Sequence, residues 1–369
     1  MSASSAAAPR PGLRLGSIPV VLPTWRDPRL KLSVVIISLQ VLGQTVLGFK
    51  VSIAQILVTV GASAVVETVV TLRRQRMLVW PASALLTGNS VAFILRASGT
   101  KHGDWWTLHG IQYFLLAAMI ALFSKYLLHI GKRHLFNPSN LGIVWTLLII
   151  GPVHVFPQYL WWGPLGVPVV LALVVIFLGA LWILKSVGMV AMAGTFWITF
   201  AALVAIFALT GQSFIAIWHS GPVGGLAYWR DICLSPEVLI FVFFMMSDPK
   251  TAPRTRNGRV IYGAATAALA AGLLVWQPTE FGIKVSILAG LTMVCAVVPL
   301  IDAIASRKAS PLPDRSSWPS IFGSRGWRSP VLVAAALIAL AAPIDTLALT
   351  ANKQIGLIEQ GLTGNKNAQ

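Results

Sequence analysis

The chain has 369 residues, of which 56% are hydrophobic and 11% charged, and its mean hydropathy is +0.77. Soluble domains carry about 25% charged residues, so the composition excludes an ordinary soluble fold and predicts an all-α, polytopic integral membrane protein. The net charge of +17 is no nucleic-acid footprint, because the basic residues fall in short clusters between apolar segments.

Residues 1–31 are Ala/Ser/Pro-rich, carry Arg10, Arg14, Arg26, Arg29 and Lys31, and lack the apolar core of a signal peptide. They read as a disordered, basic cytoplasmic tail. Apolar segments follow at approximately 32–49, 51–72, 77–95, 105–130, 141–156, 165–184, 189–211, 237–247, 260–276 and 285–305. A helix needs about 20 apolar residues to span a bilayer, so these predict ten crossings within a transmembrane domain at 32–305. The segment 77–95 is interrupted by Pro81 and Gly88-Asn89, while 141–156 and 237–247 are short. Broken or short segments often line a buried site. A Pro/Ser/Arg-rich stretch, 306–330, reads as a cytoplasmic linker. An additional transmembrane helix at 331–349, giving eleven crossings, and a polar tail at 350–369 complete the chain.

Alternating the loops from a cytoplasmic N-terminus puts 21 of the 28 Lys and Arg residues on the inner side. That is the positive-inside bias of a multi-pass protein of the plasma (inner) membrane, with lipid headgroups as its first partner. It places the turns at Phe136–Asn140 and Ser247–Arg259 inside and the loop 212–236 outside.

Chemical motifs are sparse. Cys233 and Cys295 stand far apart without a CxxC, so neither a disulfide framework nor a metal site is predicted. His129 and His134, five apart, would turn away from each other on a helix, and a haem would need histidines facing from different helices. Glu67 lies inside an apolar segment, where an acid is costly; it reads equally as a proton or cation group and as one that snorkels or pairs with a neighbouring helix. No catalytic triad, Walker loop or GxGxxG is present, so catalytic residues are unknown and no NADH or ATP site is expected. Two turns share a pattern: Asn137-Pro138 and Asp248-Pro249 each put an amide or acid before proline, where it caps a helix that tolerates proline in its first turn. Simple punctuation of membrane helices accounts for that pattern equally well.

The order of these stretches carries more. Ala84-Leu-Leu-Thr-Gly88, Gly131-Lys-Arg-His-Leu-Phe-Asn-Pro138, Asp248-Pro-Lys-Thr-Ala-Pro253 with Gly258-Arg-Val-Ile-Tyr-Gly263, and Val298-Pro-Leu-Ile-Asp302 follow one another along the chain. Over roughly residues 30–305 the chain resembles the membrane protein family that contains RnfD of the Rnf electron-transport complex and NqrB of the sodium-pumping NADH:quinone reductase. Within it, the chain is most similar to the RnfD-like proteins of enediyne biosynthesis clusters. The resemblance implies two related helical halves, a flavin, electron transfer through the membrane, and a redox protein partner that delivers the electrons. The family joins FMN to the threonine of a Ser-Gly-Ala-Thr motif; here Ser220-Gly221-Pro222-Val223 has valine at that place. FMN or riboflavin would therefore be held non-covalently, with Trp218, Ser220, Gly221, Tyr228 and Arg230 as loop candidates and Asn137 and Asp248 at the junctions. His219, Gly224, Gly225 and Trp229 belong to the same loop, which with Trp161 and Trp162 also fits an interfacial aromatic belt. A small-solute or ion transporter with a polar constriction at Thr87, Gly88 and Asn89, or a non-catalytic assembly component, would suit the same scaffold.

Overall fold

Five of the helices begin where a side-chain oxygen accepts from the first free backbone N–H groups. Asp27 caps α1 (Pro28–Thr45), and Ser52 with Gln55 forms a reciprocal capping box on α2 (Ile53–Gln75). Helices α3 (Ala82–Ile94) and α4 (Ile111–Leu127) follow, and Asn137 then caps α5 (Pro138–Ile150). The long α6 (Val167–Val187) and α7 (Val190–Leu209) precede a short α8 (Gly225–Cys233). Ser235 caps α9 (Pro236–Ile240), which runs on through one π-helical turn at Phe241–Met245. Thr255 caps α10 (Arg256–Leu274), α11 covers Glu280–Ala305, and α12 covers Val331–Leu347. The computed structural model describes residues 14–23, 27–131, 133–159, 166–216, 218–305 and 331–347. Residues 1–13, the linker at 306–330 and the tail at 350–369 lie outside the described residues.

Four helices, α2, α6, α7 and α11, are long and apolar enough to cross a membrane; α3, α4, α5 and α12 are shorter apolar helices. Large apolar side chains such as Leu57, Leu178 and Ile198 point outward at 57–67% exposure, as expected where lipid rather than water surrounds the helices. The protein is an all-α, multi-pass membrane protein. Helix α2 shows the inversion plainly: its buried face is Gln55, Thr59, Ser63, Glu67 and Thr71. Thr59, Ser63 and Thr71 return their hydroxyls to the carbonyl four residues back. Gly142 of α5 lets α4 approach: a Cβ there would lie within van der Waals overlap of the Ala117 carbonyl oxygen.

From α1 to α11 the chain passes between two ends. One, the junction end, holds the hairpin His129–His134, the turn after Ser247 and the C-terminus of α11. The other, the loop end, holds residues 95–110, 155–159, 212–235 and the N-terminus of α11. Short strands close the loop end: Leu95–Ala97 pairs antiparallel with Val155–Pro157, and Ser213–Ile215 with Pro222–Gly224.

Part of the expected disordered tail is ordered. Arg14–Leu15 pairs with Ile18–Pro19, and Val20–Val21 runs parallel to Leu78–Val79. A β-branched run, Ile18-Pro-Val-Val21, satisfies its backbone on the link between α2 and α3 instead of remaining in solvent. The broken segment 77–95 resolves for the same reason into that strand followed by the 13-residue α3.

Candidate functional site

At the junction end, the residues of three separate stretches meet. Arg133, on the hairpin before α5, donates from Nε to the Lys250 carbonyl at 3.2 Å, from a terminal nitrogen to the Ala252 carbonyl, and to Asp302 Oδ2 at 3.2 Å. The other oxygen of Asp302 accepts the Arg254 backbone N–H at 2.8 Å. Asn137 uses both ends of its amide: Oδ1 accepts from the Asn140 N–H, and Nδ2 donates to the Met245 carbonyl at 3.0 Å. Asn140 donates to the Leu288 carbonyl and Thr292 Oγ1, both at 2.9 Å. Arg259 reaches the Pro253 and Gly188 carbonyls.

Asn137 therefore caps a helix as its sequence predicts. Asp248 does not. Its carboxylate accepts the Lys250 N–H and its carbonyl accepts from Thr251 and Ala252, closing a turn rather than starting a helix. Pro253 disfavours helical geometry at Ala252, so initiation passes to Thr255. Burial raises the Asp248 carboxyl above the usual carboxylate range, with the Lys250 N–H, Lys250, Arg133 and Arg29 working against the shift. The π turn just before it inserts an extra residue into the helix, a feature frequent at functional sites.

Deeper at this end, Glu67 and Lys125 form a buried pair at 2.5 Å. Lys125 also donates to Ser83 Oγ at 2.9 Å, and Glu67 accepts the Ala84 N–H at 2.5 Å. Glu67 thus pairs with a neighbouring helix. His129 and His134 lie directly opposite each other on the two-stranded hairpin, so the helical spacing that would separate them does not apply. Burial, and then the positive charges of Lys125 and Lys250, push His134 well below its usual range.

The loop end is built from charges and rings. Lys284 lies 2.9 Å from Glu237 and 2.6 Å from Glu280, and Glu280 accepts the Trp218 indole N–H at 3.0 Å. Phe214, Ile232, Ser235 and Ile283 join these three charges around a narrow recess with a cavity volume of about 10 Å³, far below the size of small-molecule pockets. The Glu280–Lys284 spacing of four was visible in sequence; the partnership with Glu237 was not.

The predicted loop residues do not assemble a cradle for a flat ring. Tyr228 is fully buried against Phe214, Arg230 turns outward onto Asp231, and Trp218 is engaged with Glu280. Ser220 and Gly221 sit exposed on the turn, whereas Val223 is buried on its strand. Burial also pushes the Cys233 thiol up to about 12, which makes it an inert thiol rather than a redox relay. Asn137 and Asp248 belong to the other end: Glu280 and Asp302 are 22 positions apart on α11, roughly 33 Å at 1.5 Å per residue. The seven predicted residues therefore form two groups, not one site.

No family model matches the chain. It is 34% identical over 134 residues to the D component of the ion-translocating oxidoreductase complex of Citrobacter koseri, covering 31% of this chain and 36% of that protein. It is 32% identical over 134 residues to the same-named protein of Escherichia coli O7:K1, with the same coverage. Against that of Escherichia coli O1:K1 it is 40% identical over 70 residues, 19% of this chain and 18% of that protein. The similarity is to one membrane component of an ion-translocating oxidoreductase complex. It supports the Rnf-type kinship read from the order of the motifs, although the chain spans only about a third of the length of the first of these relatives.

Proposed function

We propose that the chain is a membrane-embedded electron-transfer component resembling RnfD, working beside partner proteins that deliver its electrons. The observation that supports this is the junction end. Stretches 131–140, 246–259 and 298–302, which carry the resemblance, are tied together through Arg133, Asn137 and Asp302. Helix punctuation alone gives no reason for three distant stretches to meet; a shared scaffold does. In this reading the junction end and the N-terminus face the cytoplasm, because the basic clusters gather there. The linker Lys250–Arg259 then meets an acidic partner or lipid phosphate. The resemblance suggests an enediyne-type biosynthetic pathway as the setting.

The reading keeps FMN or riboflavin as a non-covalent ligand, since a phosphoester needs a hydroxyl and Val223 has none. The loop residues as placed do not supply its site, so no redox step is assigned to them. An absorption spectrum of the purified native protein, paired with a denaturing gel under ultraviolet light, tests it. Flavin absorbance that leaves on denaturation is expected. Fluorescence on the gel would overturn the non-covalent assignment, and no flavin in either would overturn the flavin-linked reading.

One observation favours a second reading, a solute or ion pathway. Asn89 Nδ2 is buried on α3 and has no hydrogen-bond partner among the described residues. Its neighbour Gly88 packs so tightly on α2 that a Cβ would sit 2.6 Å from Ser63 Oγ, which seals that interface as it stands. Reductant-independent uptake into liposomes, abolished by Asn89→Leu, would favour transport over electron transfer.

A further inference from the structure

At the loop end, away from the Ser220–Val223 turn, the short ladder between residues 95–97 and 155–157 carries a buried cation with no carboxylate in direct contact. Arg96 stands opposite Phe156. Gln158 continues the second strand, its backbone N–H donating to the Ile94 carbonyl at 2.6 Å. Side chains alternate along a strand, so Arg96, Phe156 and Gln158 share one face of the ladder. Arg96 is 8% exposed and Gln158 1%. Among the described residues, Arg96 Nε and both polar atoms of the Gln158 amide have no hydrogen-bond partner, and no carboxylate lies within ion-pair distance of the guanidinium.

Two further cations share the aromatic ring on which Arg96 rests. Its guanidinium stacks 4.0 Å from the centre of the Tyr159 ring, the Lys284 ammonium lies 4.9 Å from the same centre, and the exposed Lys50 ammonium lies 5.7 Å away. The two acids nearby, Glu237 and Glu280, both contact Lys284, and neither lies within ion-pair distance of Arg96. Cation–π contact with Tyr159 offsets part of the desolvation of Arg96. It leaves the buried Nε donor unanswered, and a buried polar group without a partner is costly. Arginine presents its donors as a fork matched to carboxylate and phosphate oxygens.

We propose that Arg96, with the Gln158 amide beside it and Lys50 at the rim, binds a phosphate group at the loop end. The phosphate comes either from an anionic lipid headgroup or from a soluble phosphate, and the chemistry of recognition is the same. Arg96 supplies the forked charge, Gln158 a neutral donor from its Nε2, and Lys50 the attraction that draws the anion in. The proposal does not depend on redox chemistry.

The test uses the full-length protein purified in a neutral detergent or reconstituted in nanodiscs. Thermal unfolding is followed while inorganic phosphate is titrated at constant ionic strength against chloride, and separately in phosphatidylglycerol against phosphatidylcholine nanodiscs. Stabilisation by phosphate in detergent identifies a soluble source; stabilisation by phosphatidylglycerol alone identifies the headgroup. Arg96→Gln is expected to weaken the apparent affinity by about tenfold or more, as loss of a charge-assisted contact implies. Lys50→Gln, an exposed position that leaves folding intact, should weaken it by about two- to fivefold, and Lys101→Gln should not change it. If Arg96→Gln does not fold, the Lys50→Gln and Lys101→Gln comparison decides alone. No stabilisation by either anion, or stabilisation equal in all variants, would overturn the proposal.

Discussion

Ion pairs hold both ends of the molecule, but the contacts added to them differ. At the junction end, charged and amide side chains grip backbone carbonyls and N–H groups of distant segments: Arg133 on Lys250 and Ala252, Asn137 on Met245, Asp302 on Arg254. At the loop end, charges meet charges and ring faces: Lys284 between two glutamates, and Arg96 on Tyr159. Directional bonds to backbone fix how helices enter and leave the bundle. Charge and ring contacts tolerate rotation, which suits a surface that receives something.

The contrast is broken most severely at the base of the junction end. Lys125→Met leaves Glu67 buried without its partner and should cost about 3–5 kcal/mol, whereas the double variant with Glu67→Gln should recover much of that. Unfolding in a denaturing detergent titration measures both. Arg133→Gln should cost about 1.5–3 kcal/mol, the loss of hydrogen bonds made by a charged group, and should lower the thermal midpoint. If it destabilises no more than a loop-end variant, the directional-bond account of this end fails.

A third effect is pH-dependent. Because His134 is held well below its ordinary value in the folded protein, the unfolded chain takes up a proton first as pH falls through about 6.5. Stability is then lost with acidification, by about 1.4 kcal/mol one unit below that value. His134→Gln should flatten the melting profile between pH 7 and 5.5. At the loop end the effects shrink. Trp218→Phe removes the hydrogen bond to Glu280 and should cost no more than about 1 kcal/mol. Arg230→Ala, whose side chain is 62% exposed on its salt bridge, should stay within about 0.5 kcal/mol. A larger loss at Arg230 would mean that the loop end is held by more than the contacts described.

The apolar runs announced most helices, and Asn137-Pro138 announced the start of α5, because hydropathy and capping are local properties. Asp248-Pro249 misled, since the proline that decides where α10 begins is Pro253, four residues later. The buried polar face of α2 was written in the sequence as Gln55, Thr59, Ser63, Glu67 and Thr71, four apart, a period that an apolar count passes over. Partnerships between distant residues were not legible: nothing local in Glu67 names Lys125, and nothing local in Arg96 names Tyr159. The loop candidates fared worst for the same reason. Aromatic and glycine content says what a ring could rest on, but only packing reveals that Tyr228 is already spent on the core.

The Glu67–Lys125 pair has a consequence for how the chain is made. The partners are 58 positions apart, and synthesis proceeds at about 5–20 residues per second, so Glu67 waits roughly 3–12 seconds for its lysine. For that interval the nascent α2 holds an acid with no counter-charge, and a carboxyl in hydrocarbon is far cheaper neutral than ionised. Only when α4 arrives does that acid gain its counter-charge, so α2 and α4 settle against each other as a pair rather than one at a time.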